Sequence, residues 1–105
     1  MDRIITPDTL KTEIAGKYIL DVRRSNDRDA SAEQLAGANW HDPEKLADWA
    51  DSLPKDKDIV LYCVRGGGVS NSVVDALQAK GLKAPRYIEG GIEGWKAAGG
   101  AVVAK

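Results

Sequence analysis

Between Ile59 and Leu77 the chain reads IVLYCVRGGGVSNSVVDAL. The apolar run IVLY has no polar position in alternation, so it reads as a strand buried on both faces. After it, Val73, Val74 and Leu77 fall at helical spacing, and Gly81 lies just past the end of that pattern as a stop. A buried strand leading through glycines into a helix predicts a parallel βαβ unit, and that excludes most all-α and all-β architectures.

The rest of the chain agrees. Ile4 and Ile5 suit a short edge strand. Thr6-Pro7 supplies an N-cap and a proline at the first helical position, and the helix runs through Leu10 and Ile14 toward Gly16. The segment YILDV, Tyr18 to Val22, predicts a second buried strand. Arg24 to Gln34 is charged, and Ala30, Ala32 and Leu35 permit a short helix there. GANW suggests a brief strand, and Asp42-Pro43 opens a helix carrying Leu46, Trp49 and Ala50 that ends before Pro54. RYIEGG reads as a strand, with a last helix around Trp95 to Ala98. The expected fold class is α/β: one domain over residues 1–105, a small parallel sheet flanked by helices on both faces.

Composition narrows the function classes. A chain of 105 residues with 43% hydrophobic and 30% charged residues is an ordinary globular mixture. A domain of that size buries roughly two-thirds of its unfolded surface and folds without a disulfide or metal. The net charge is −1, with acids and bases interspersed, so nothing points to nucleic acid or to an anionic membrane. No apolar run approaches the ~20 residues of a membrane span, and the N-terminus lacks a signal-peptide pattern. A cytoplasmic protein is expected. One cysteine allows no internal disulfide, and one histidine leaves too few ligands for a structural zinc.

The chemistry concentrates at Cys63. It ends a strand of an expected parallel sheet, where ligands gather beyond the carboxyl ends of the strands. Gly66, Gly67 and Gly68 let several N–H groups converge into an anion-binding nest, and the following helix adds roughly half a positive charge at its N-terminus. From Cys63 to Val74 there is no Asp or Glu, and Arg65 is the only charged residue. Such a field favours the thiolate, the reactive form of cysteine. The candidate site is therefore an exposed nucleophile, Cys63, in an anion cradle formed by Val64, Arg65, Gly66, Gly67, Gly68, Val69 and Ser70. Ser70 is expected to cap the helix or touch the substrate. The competing reading, a small buried hydrophobe at the end of a strand, accounts for the apolar run but not for the glycines or the missing acids.

Other loop chemistries fit less well. A P-loop needs Lys-Ser or Lys-Thr after its last glycine. The dinucleotide fingerprint fails at Asn71, and Val69 stands where a tyrosine-phosphatase loop carries arginine.

The ordered set ITPDTL, ILDVR, GANW, IVLYC with its glycine loop, and YIEGGIEGWKAAG resembles the single-domain rhodaneses, the thiosulfate sulfurtransferase-like family, over nearly the whole chain. The resemblance implies that Cys63 takes a sulfane sulfur from a small anionic donor such as thiosulfate. It would become a persulfide and pass the sulfur to cyanide or a thiol, a protein persulfide partner being a further option. No cofactor is implied. Three features depart from the family pattern. Gly68 stands where a basic or hydroxyl residue is usual, and the loop reads one residue longer, as in phosphatase and arsenate-reductase relatives of the fold. The segment Glu33 to Ala38 also lacks the family's usual histidine. The alternatives are thus an arsenate reductase or phosphatase-like enzyme, in which the loop offers no carboxylate as general acid, and a non-catalytic sulfur carrier or interaction module.

Supporting candidates are Asp21 and Arg23, read mainly as an ion pair tying the strand end to a nearby loop, and Trp40 as a pocket residue. Trp49 and Trp95 are expected to supply core bulk. His41 is the only histidine, next to Asp42 at a helix start, and Glu89 to Gly91 reads as a structural turn.

Overall fold

The structure is a computed structural model that describes residues 3–65, 67–82 and 85–104. β5 (Ile59–Tyr62) is the middle strand of a five-stranded sheet, with β2 (Tyr18–Asp21) on one side and β6 (Arg86–Ile88) on the other. β4 (Asn39–Trp40) and β1 (Ile4–Ile5) form the edges, and every pairing in this sheet is parallel.

Helices cover both faces, and strand alternation decides which residues meet which layer. Ile59, Leu61 and Cys63 point to one side with Leu20 and Val22, against Trp49 of α3 (Leu46–Trp49) and Val73, Val74 and Leu77 of α4 (Gly68–Ala79). Val60 and Tyr62 point to the other side with Ile19. There they meet Leu10 of α1 (Pro7–Glu13) and Ile92 and Trp95 of α5 (Gly91–Ala97). Cys63 thus emerges on the α4 face because it is in phase with Ile59 and Leu61.

The helix starts follow the sequence signals. The Thr6 hydroxyl accepts from the Thr9 N–H at 3.2 Å, with Pro7 in the first turn. Asp42 accepts from the Glu44 N–H at 2.9 Å, but the expected helix to Pro54 is broken into three short pieces. Tight turns at Pro43–Lys45 and Ala50–Ser52 flank α3, with Lys45 and Leu53 donating to carbonyls three residues back.

Two parts of the expected organisation change. The helix in the charged segment is α2 (Ser25–Ala30) and buries none of its residues. Leu35, expected on that helix, is fully buried in β3 (Glu33–Leu35) instead. β3 pairs antiparallel with β7 (Val102–Ala104), a terminal strand that the sequence reading did not anticipate. Each partner supplies only three residues, too short for alternation to register, and the two are separated by more than half of the chain.

The ends of β2, β5 and β3 are tied by one buried network. Arg23 donates through Nη2 to Asp21 at 2.8 Å and to the Glu33 carbonyl at 3.0 Å, while Tyr62 donates its hydroxyl to Asp21 at 3.0 Å. The Tyr62 hydroxyl in turn accepts from the Leu35 N–H. Burial, and then the Asp21 charge, push the Tyr62 phenol well above its ordinary value, so it stays a donor. Asp21 and Arg23 are 0% and 1% exposed, which makes this pair structural rather than solvent-screened. We expect Arg23→Met to leave the buried Asp21 charge uncompensated and cost about 3–5 kcal/mol, measured as a lowered urea midpoint.

His41 stacks on Trp49 with centroids 4.9 Å apart, and burial lowers its pKa. A folded value below the unfolded one means that the unfolded chain binds more protons. The contribution is therefore complete above about pH 6.5 and is lost as pH falls through that range. A His41→Gln variant should flatten this acid limb in denaturant titrations from neutral to mildly acidic pH.

Candidate functional site

α4 begins at Gly68, earlier than the expected start near Ser70, so Gly68, Val69 and Ser70 belong to its first turn. Its N-cap is Gly67, which has no side chain to offer, and the first turn holds no acid. The leading N–H groups of a helix have no intrahelical acceptor. Here no cap side chain answers them either. Ser70 is not the cap: it lies inside the helix, fully buried, and its hydroxyl has no hydrogen-bond partner among the described residues.

Three carbonyls around Cys63 are held by other groups. The Ile92 N–H donates to the Cys63 carbonyl at 3.0 Å and the Glu93 N–H to the Val64 carbonyl at 3.2 Å. These donors are themselves first-turn amides of α5, so one helix start is satisfied by the loop that precedes another. The Gly67 carbonyl accepts from the Asn71 N–H at 3.2 Å and from its side-chain Nδ2 at 3.3 Å. In a trans peptide the C=O and the next N–H point in opposite directions. Holding these three carbonyls therefore turns the N–H groups of Val64, Arg65 and Gly68 the other way.

Val64, Arg65, Gly67, Gly68 and Val69 line a cleft of about 410 Å³ together with Cys63, Arg24 and Asp27. Gly66, placed in the cradle from sequence, lies outside the described residues. Cys63 is only 7% exposed, so the sulfhydryl expected at the surface is set into the cleft wall. Arg24, Asp27 and Arg65 make no ion pair among the described residues and leave two cations and one anion facing the space. Arg24 and Asp27 also border an adjoining groove of about 660 Å³, which runs along α4 past Leu46, Val73 and Ala76.

Asp21 and Arg23 do not line the cleft of Cys63; they anchor the strand end behind it. Trp40, expected as a pocket residue, does not line it either. Its indole N–H donates to the Arg23 carbonyl at 2.8 Å, and the Arg28 guanidinium lies over its ring. Trp49 and Trp95 are buried as core bulk, donating to the Asp42 and Ala101 carbonyls. Sequence reasoning passed over Arg24 and Asp27, because nothing local reveals that α2 faces Cys63. It also read Gly91 only as a turn residue.

Gly91 is the position on which the loop closes. It has φ +61°, and a Cβ there would fall inside contact distance of the Cys63 and Val64 carbonyls. Any side chain would push α5 off the loop and release both carbonyls. Gly91→Ala should cost at least about 2 kcal/mol in denaturant melts. Thiol labelling at neutral pH should also slow, because freed carbonyls would face the sulfur.

A sequence model of the rhodanese-like domain family matches residues 6–98. The chain is 35% identical over 80 residues to the thiosulfate sulfurtransferase GlpE of Coxiella burnetii, covering 75% of this chain and 71% of that protein. A rhodanese-related protein from Thermoplasma volcanium superposes with a TM-score of 0.86 at 27% identity, over 98% of this chain and 99% of the other. A protein of unknown function from Rhodopseudomonas palustris, described as a possible tyrosine phosphatase, gives a TM-score of 0.82 at 25% identity, with 97% and 85% covered. With its parallel sheet, its cysteine loop ahead of α4 and a family match over most of its length, this chain belongs to the rhodanese-like domain family.

Proposed function

We propose that this protein is a sulfurtransferase that carries a sulfane sulfur on Cys63. The observation that supports this most directly is the outward anchoring of the loop carbonyls by Ile92, Glu93 and Asn71. In these three peptides it leaves the amides of Val64, Arg65 and Gly68, rather than the carbonyl oxygens, available to an anion beside the sulfur.

The Cys63 thiolate attacks the outer sulfur of a thiosulfate-like donor. The donor's S–S bond breaks, and sulfite leaves with the bonding pair. In the second half-reaction a thiol or cyanide attacks the terminal sulfur of the Cys63 persulfide and Cys63 departs as thiolate. Both half-reactions pass negative charge through the same few atoms, so fixed amide dipoles stabilise each species without reorganising. Splitting the transfer into two displacements is covalent catalysis, with ping-pong kinetics as its mark. Arg24 and Arg65 raise the local concentration of an anionic donor.

A second reading, phosphate-ester or arsenate chemistry, gains one point from the geometry. The loop itself carries no carboxylate, yet Asp27 of α2 lines the same cleft and makes no ion pair among the described residues. It is the group that would protonate a leaving alkoxide.

Incubation with thiosulfate followed by intact mass measurement should show a gain of one sulfur atom, absent in Cys63→Ser. Turnover to thiocyanate with cyanide then distinguishes an enzyme from a carrier. Aryl-phosphate hydrolysis that is lost in Asp27→Asn, with no sulfur gained from thiosulfate, would replace this reading with the second.

A further inference from the structure

Asn71 lies beyond the loop, on α4, and its carboxamide is fully used. Oδ1 accepts from Arg3 Nη1 at 3.2 Å. Nδ2 donates to the Gly67 carbonyl and to the Tyr87 hydroxyl, each at 3.3 Å. The orientation admits no flip: a guanidinium only donates and a carbonyl only accepts, so the oxygen must face Arg3 and the nitrogen Gly67. Arg3 is held from its other side by Asp75 at 2.8 Å.

We propose that Asn71 is a positioning residue for the nucleophile, pinning the Gly67 carbonyl away from the cleft so that the Gly68 N–H faces it. The backbone N–H of Asn71 and its Nδ2 together occupy both lone pairs of that carbonyl. Ser70, whose hydroxyl would otherwise bond back to a carbonyl of the preceding turn, is left without a partner among the described residues.

The same arrangement explains why the residue is Asn and not the isosteric Asp. An aspartate would set an acceptor against the Gly67 carbonyl and bring a negative charge into the first turn, opposing the helix field. The first acid that does occur on α4, Asp75, is neutralised by Arg3, the arginine that orients Asn71. The acid-free stretch after Cys63 therefore ends in an ion pair rather than in an open charge. The other charged groups around the loop are Arg24 and Asp27 of α2, Arg65 of the loop, Glu93 of α5, Arg23 beside Val64, and Glu44 in the groove along α4. All of these stay constant across the variants below.

The inference rests on Cys63 acting as a thiolate, and its test does not require sulfur transfer. Iodoacetamide alkylation of the full chain, followed across pH, reports the thiolate directly. Asn71→Asp should move the alkylation profile up by about one pH unit. At pH 6 the rate should fall only about three- to fourfold, because the less acidic thiolate is also the better nucleophile. Arg3→Gln, at a partly exposed site, should shift the profile in the same direction by about half as much.

Profiles for both variants that superimpose on the parent's, with unchanged circular dichroism, would overturn the proposal. A lowered urea midpoint with an unmoved profile would do the same, since it marks a merely structural residue. Where Asn71→Asp does not fold, Arg3→Gln decides alone by the same criterion. A shifted profile in a protein that takes no sulfur from thiosulfate would leave Asn71 as proposed and overturn the transferase reading only.

Discussion

The first turn of α5 rests directly on the backbone of Cys63 and Val64, and the rest of the site follows from that contact. Two helix amides without intrahelical partners meet two loop carbonyls that would otherwise face the cleft. The match satisfies both sets of groups at once, and it needs a residue without a side chain at position 91. The doublet Gly90-Gly91 therefore does more than reverse the chain after β6. It allows one helix start to shape the loop at the start of another.

From this contact the electrostatics of the cleft can be traced outward. The carbonyls are drawn to α5 and to Asn71, the corresponding amides turn the other way, and α4 presents an uncapped N-terminus with no acid in its first turn. The buried Asp21–Arg23–Tyr62 network holds the neighbouring strand ends from behind. Its opposite charges are paired with each other, so it supports the strand ends without an uncompensated charge. The groove beside Cys63 is far larger than a small inorganic anion needs, when each displaced water accounts for only about 30 Å³. It leaves room for a molecule bulkier than such an anion.

Much of the fold was legible in the residues because its signals are local. The alternation of Ile59, Leu61 and Cys63 against Val60 and Tyr62 assigns each side chain to a layer, and Thr6-Pro7 starts α1 by a bond spanning a few residues. Where the expectation failed, the determinant was distant. Leu35 left a supposed helix because β3 finds its partner in β7, more than sixty residues further along the chain. Ser70 looked like a cap, yet the helix reaches back to Gly68 and buries it. Trp40 looked like a pocket wall, but the Arg23 carbonyl and the Arg28 guanidinium had already claimed its edge and face.

By itself the sequence determined the candidate centre: a lone cysteine at the end of a buried strand, glycines after it, a helix to follow and no acid from Cys63 to Val74. Those are one-dimensional facts, because strand period, glycine freedom and local charge act between near neighbours. Tertiary structure alone decided what surrounds that centre. It brought Arg24 and Asp27 across from α2, seated α5 on the loop carbonyls and joined Arg3 to Asn71 over most of the chain's length. Hydrogen bonds and ion pairs of that kind depend on positions a few ångströms apart in space. No spacing along the chain encodes them.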